Sequence, residues 1–143
     1  MTTVNLNALE LAEFTGKFDP QQHCRSTFPM LGAHGTQHSA TVYFELEPGK
    51  KLGRHTDSAE ELLLILEGTV EALVGAEKGV LSKGEMALVP VMVPHDLHNI
   101  GTTKAKVLGF FGGANHIVAT FDQTWLPLDS NSVNTAEVFG QQG

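Results

Sequence analysis

This sequence is poor in the features that most often announce a protein's chemistry. It has a single cysteine, Cys24, among 143 residues. One thiol cannot close an internal disulfide, so a disulfide-stapled scaffold is excluded and a reducing compartment is the simplest setting. Basic residues are scarce, 9 against 16 acidic ones, for a net charge of -7. Binding a phosphate backbone needs a basic surface, so nucleic acid is not an expected partner. No apolar run approaches the length of a membrane span, so no membrane contact is expected. The opening Met1-Thr2-Thr3-Val4-Asn5 has neither the basic nor the apolar part of an export signal, and a cytoplasmic location is expected. A Gly-rich phosphate loop, a nucleophile elbow and a CxxC pair are all missing. So are a repeat of fixed period and a long amphipathic helix.

What is present fits one domain with a real core: 143 residues, 41% of them apolar. Short β-rich runs recur at Ala40–Leu46, Glu61–Leu66, Thr69–Val74, Met86–Val89, Lys106–Phe111 and Ile117–Phe121. Turn signals separate them at Pro48-Gly49, Glu67-Gly68, Lys83-Gly84, Ile100-Gly101 and Gly112-Gly113. This spacing predicts an all-β antiparallel sandwich or barrel. Residues 1–24 read as a mixed, polar N-terminal extension, with one or two helical turns over Ala8–Phe14. Residues 25–121 read as the barrel and 122–143 as a C-terminal tail. In that tail Trp125 is expected to pack back on the barrel or on a partner subunit. Asn134 to Gly143 is expected to be poorly ordered unless something pins it.

Four residues carry the chemistry. His55 and Asp57 are two apart in a strand-like segment and can face inward together. Glu61 follows four residues later and keeps that parity if the strand runs unbroken. His95 sits in a second strand-like segment, sharing its inward face with Leu97 and Asn99. Two imidazoles and two carboxylates converging inside a barrel would hold a divalent metal. Two histidines and one carboxylate with open positions form the facial triad of non-haem iron(II) oxygenases, which favours Fe(II), with Mn, Zn or Ni as alternatives. Asp57 is open to two roles, as a fourth ligand or as a side chain that orients the ligands through hydrogen bonds. If Asp57 and Glu61 both bind, their two charges neutralise a 2+ ion.

The remaining candidates read as structural. Glu60 alternates with Glu61 and should face solvent, unless a bulge in the strand exchanges the two and makes Glu60 the ligand. His98 has the opposite parity to His95 and reads as an outer or rim residue. His34 and His38 lack an evident third ligand, and His23 and His116 read as surface histidines. Cys24 reads as unreactive. Of Phe110 and Phe111, one should line the barrel and the other should pack outward or into a dimer interface. Met86, Met92, Leu63, Ile65 and Leu97 are expected to line an apolar pocket, although simple core packing explains most of them equally well.

The two site segments also carry a family resemblance. Gly49-x5-His55-x-Asp57-x3-Glu61-x6-Gly68 resembles the first motif of the cupin superfamily, and Gly84-x5-Pro90-x4-His95-x3-Asn99 resembles the second. Together they span about a third of the chain. The resemblance implies a double-stranded β-helix (jelly-roll) barrel, a metal near its open end, and frequently a homodimer, for which Trp125 and one of Phe110 and Phe111 are candidate contacts. Asp57 stands where the family's first motif has a second histidine, and Met92 stands where its second motif usually has glycine. The expected function is metal-dependent chemistry on a small organic molecule, most concretely non-haem iron dioxygenation. Isomerase, cyclase or lyase chemistry is the alternative, as is non-enzymatic binding of a small molecule.

Overall fold

A computed structural model describes residues 1–138. The strands, in chain order, are β1 (Ala12–Gly16), β2 (His23–Thr27), β3 (Ala40–Leu46), β4 (His55–Asp57), β5 (Glu61–Glu67) and β6 (Thr69–Val74). They continue as β7 (Glu77–Ser82), β8 (Met86–Val89), β9 (His95–Asn99), β10 (Ala105–Phe111), β11 (Val118–Leu126) and β12 (Ser130–Asn134), ending in a single turn of helix, α1 (Thr135–Val138). The strand pairing runs β7-β6-β9-β4-β11-β1-β2-β3-β10-β5-β8, with β12 added on β11. The two end strands, β7 and β8, are consecutive in sequence and joined by a tight turn. In that turn Glu85 N–H donates to the Ser82 carbonyl and Ser82 N–H to the Glu85 carboxylate. The sheet therefore curls into a nearly closed antiparallel barrel, the expected jelly roll. No helix among the described residues is long and apolar enough to cross a membrane.

Alternation along the strands explains the barrel. On β5, Glu61, Leu63 and Ile65 turn inward and are buried. On β10, Ala105, Val107, Gly109 and Phe111 do the same. Leu46, Ile65, Val70, Ala105 and Val107 have no exposed surface at all and anchor the core. A single residue, Gly68, turns β5 into β6. It holds φ at +84°, and a Cβ there would lie 2.9 Å from the Ala105 backbone, so only glycine fits.

The structure revises several expectations. Of the expected helical turns over Ala8–Phe14 only Ala8 is helical, as the last residue of a 3-10 turn over Leu6–Ala8, and β1 begins at Ala12 and pairs with β2 and β11. β11 runs past Phe121 to Leu126, so strand pairing continues across the expected start of the tail. β7 was not legible at all. It is a polar end strand, mostly exposed, with no buried face to impose alternation. Asn134 closes β12, and Thr135 is pinned by Ile117 through its backbone N–H and its hydroxyl. The rest of the segment expected to be poorly ordered, residues 139–143, lies outside the described residues.

Candidate metal centre

His55 and His95 face each other directly across the β4–β9 pair, with ring centroids 4.0 Å apart. Phe121 stacks on the other side of His55 at 4.3 Å and limits its rotation. Each imidazole is held at Nδ1 by a backbone carbonyl two residues upstream, Gly53 at 2.8 Å for His55 and Val93 at 2.9 Å for His95. A carbonyl only accepts, so Nδ1 carries the hydrogen in both rings, and both Nε2 atoms are turned to the interior with a lone pair when the ring is neutral. Asp96 supports this from behind: its carboxylate accepts the Gly53 N–H at 2.9 Å, fixing the turn whose carbonyl holds His55.

The carboxylates meet these nitrogens. Asp57 Oδ2 lies 3.0 Å from His95 Nε2 and 3.7 Å from His55 Nε2, and Glu61 Oε1 lies 3.5 Å from His95 Nε2. All four residues are at most 6% exposed. Asp57 Oδ2 and His95 Nε2 are both buried and find no hydrogen-bond partner outside this group of four. Donor atoms of His55, Asp57 and His95 all fall within 4.8 Å of one another. Unpaired buried polar atoms are costly, so a set that aims its lone pairs at common space fits a cation.

The electrostatics are strongly perturbed. Burial holds His55 down to about 4 against the pull of Asp57. Burial also opposes protonation of His95, but Asp57 and Glu61 outweigh it and push His95 up to about 10. Burial, with the charge of Asp57 adding to it, raises the Glu61 carboxyl well above the usual range while His95 pulls the other way.

The four residues expected to converge therefore do so, but Glu61 arrives by a different route. The strand does not run unbroken from Asp57: Ser58–Glu60 forms a corner, and Glu61 opens β5, which pairs with β8 and β10 instead of β9 and β11. The donors come from three strands. Sequence reading missed Gly109 on β10. A Cβ there would run into Glu61 Oε2 and sit 2.8 Å from Val42 Cγ1, so this glycine makes the space that the Glu61 carboxylate fills. Only the pairing of β10 with β5 reveals it.

The centre borders a cavity of about 110 Å³. Leu63, Leu97 and Phe111 line it, as does Trp125, which packs edge-on against Phe14 and Phe121. Trp125 is 3% exposed in the single chain and is not available as a dimer contact. Phe110 faces out. Met86 and Met92, expected in the wall, are 52% and 56% exposed. Met86 alternates outward on β8, and Met92 sits in the β8–β9 turn at φ +62°, a conformation that glycine adopts without strain. Ile65 is buried in the core beside the cavity. Leu128, Val133 and Thr135, all from the expected tail, close one side of it. Glu60 is exposed, and His98 is half-buried with Nε2 3.2 Å from the Gly49 carbonyl, away from the centre. His34, His38 and His116 are exposed; His23 is half-buried and pairs with Glu13 at 3.2 Å. Cys24 is buried in the cavity wall, and burial pushes its thiol up to about 12.

A family model described as a cupin domain matches residues 42–111, from β3 through β10 and across both site segments. The chain carries a small cupin domain. Solved structures agree on the fold of this cupin. One, from Acidithiobacillus ferrooxidans and provisionally described as a sugar phosphate isomerase, is 17% identical, with 93% of this chain and 90% of that one covered at a TM-score of 0.66. An oxalate oxidase in complex with glycolate is 20% identical, with 75% and 59% covered at 0.64. The oxalate decarboxylase of Lactobacillus farciminis, a formate complex, is 18% identical, with 76% and 32% covered at 0.65. The cupin thus spans less than two thirds of either oxalate enzyme. No curated protein matches the chain in sequence.

Proposed function

We propose that this cupin is a metal-dependent enzyme acting on a small organic molecule, with the metal held by His55, Asp57 and His95 and with Glu61 as a further donor. One observation carries the reading: His95 Nε2 and Asp57 Oδ2 lie 3.0 Å apart, both buried, with no hydrogen-bond partner outside the four residues of the centre. Two histidines and a carboxylate with open positions favour iron(II), and oxygenation of the bound molecule is the most concrete reaction. When bound, the metal supplies the Lewis acidity or redox chemistry that the chain's own side chains do not offer.

The chain's residues do the rest. The Gly53 and Val93 carbonyls keep both imidazoles in the tautomer that presents Nε2. Phe121 and the apolar wall hold water away from the centre. Glu61 is buried with a raised carboxyl and lies 3.5 Å from His95 Nε2, so it can hold or pass on a proton there. That placement favours a second reading, metal-assisted proton transfer of the isomerase, cyclase or lyase kind.

Elemental analysis of protein purified without chelators or a His-tag tests both readings. Stoichiometric iron supports oxygenation, and zinc or manganese supports proton transfer. No metal overturns both, as does a His95→Ala variant that keeps full metal content. We also propose a homodimer through the outer face of β10, β5 and β8. There Phe110, Leu62 and Leu88 form one cross-strand row at 37%, 39% and 54% exposure.

A further inference from the structure

We infer that the molecule this cavity accepts is uncharged and largely apolar, and that organic anions such as carboxylates and phosphate esters are turned away. Its role as a substrate rests on the metal-centre reading above; its selection by charge does not.

The first ground is where the cations are. Of the 9 Lys and Arg residues, none lines the cavity. Lys17, Arg25, Lys51, Lys78, Lys83 and Lys104 are each in an ion pair with a carboxylate elsewhere. Lys50 donates to the Pro20 carbonyl, and Arg54 is exposed. Lys106 stands on the outward face of β10, across from Glu45. Residues 139–143, Phe-Gly-Gln-Gln-Gly, hold no basic side chain that could be added to the wall.

The second ground is the wall itself. Outside the metal centre its polar side chains are Ser26, Thr135 and the Cys24 thiol. The Ser26 hydroxyl already donates to the Tyr43 carbonyl at 3.0 Å, and the Thr135 hydroxyl already accepts the Ile117 N–H at 3.1 Å. Apart from the indole N–H of Trp125 the rest is carbon, much of it aromatic, around only about 110 Å³. A compact hydrocarbon body suits that space, and a carboxylate or phosphate would be stripped of water with only neutral donors, the Trp125 indole N–H and the Thr135 hydroxyl, to replace it.

The third ground is the charge of the centre. Asp57 and Glu61 face the cavity as the acidic members of the centre. A bound divalent ion is neutralised by these two carboxylates, which leaves no net positive charge to draw an anion in. The cupin therefore parts from the neighbours it resembles in fold, since oxalate and sugar phosphates, the substances in their names, are anions.

Trp125 provides the assay. It is the chain's only tryptophan and forms part of the cavity wall, so its emission reports occupancy directly. Protein of measured metal content is titrated at neutral pH with toluene and benzyl alcohol, then with benzoate, oxalate and glucose 6-phosphate. The neutral pair is expected to shift Trp125 emission saturably, benzoate to bind about tenfold more weakly or worse, and the last two not to bind. Benzoate or oxalate binding as tightly as benzyl alcohol overturns the inference, as does failure of both neutral probes. Val133→Lys places a cation in the wall and is expected to move preference toward benzoate. A folded Val133→Lys protein with unchanged preference also overturns it. Preference for the neutral probes in protein that takes up no metal ends the metal reading and leaves this one standing. Stoichiometric metal with benzoate preferred does the reverse.

Discussion

Gly109→Ala is the most informative single change in this protein, because its sign separates two views of the residue. A glycine on a strand is ordinarily a weakness, and replacing it with alanine where the backbone permits stabilises by about 0.4–1 kcal/mol. Gly109 has an ordinary strand backbone, so nothing in its φ forbids alanine. The obstacle is space. The new Cβ would collide with the Glu61 carboxylate and come within 2.8 Å of Val42 Cγ1. Glu61 is 3% exposed and cannot retreat to solvent. Either its carboxylate is pushed toward the cavity or β10 and β5 separate. Overpacking of this kind costs about 1–3 kcal/mol. For a chain of 143 residues that is a fall in Tm of roughly 3–10 °C. Metal affinity should fall with it by about 10–100-fold, the usual effect of disturbing a residue that sets a ligand's position. Calorimetric melting and metal titration read the two quantities separately. Glu61→Asp, shorter by one methylene, should relieve the clash, so the double variant should melt higher than Gly109→Ala alone. A Gly109→Ala protein that melts at or above wild type and binds metal unchanged would refute the reasoning, as would a double variant whose losses simply add.

Other outcomes follow from the same geometry. If Asp57 ligates, Asp57→His should raise affinity for zinc, nickel and copper in a competitive titration; equal or weaker affinity would make Asp57 an orienting residue. Cys24 should resist thiol reagents. With its thiol near 12 in the folded state, about one molecule in a thousand is ionised at pH 9, against half for an ordinary thiol. Because folding raises this pKa, the thiol's contribution to stability is lost as pH climbs from 9 toward 12, and labelling at free-thiol rates at pH 8 would contradict its burial. Phe110→Asp, on the exposed face of β10, should convert a dimer to a species near 15.4 kDa in sedimentation without lowering metal content; a wild-type monomer at micromolar concentration would remove the dimer proposal.

Much of this fold is written locally. Ala40–Leu46, Thr69–Val74 and Met86–Val89 are strands with the bounds their sequence predicts, because a half-buried strand repeats every two residues and turn residues punctuate it. The spacing of His55 and Asp57, and the placing of His95 in a second segment, likewise sufficed to bring these donors to one interior. What the sequence could not decide was which remote segments lie side by side. Glu61 reaches the centre from the start of β5, after a corner, and not along the strand of Asp57. Gly109 matters only because β10 pairs with β5 in the register that puts its missing Cβ over Glu61. Leu128, Val133 and Thr135 belong to a stretch whose composition suggested a loose tail, yet pairing of β12 with β11 makes them cavity wall. Met86 and Met92 looked like lining and face solvent, since strand phase and turn conformation, not hydrophobicity, set their direction. Periodicity is a property of neighbours in the chain and can be read from it. The cavity's charge, shape and walls come from pairings between residues tens of positions apart, and these exist only once the barrel has closed.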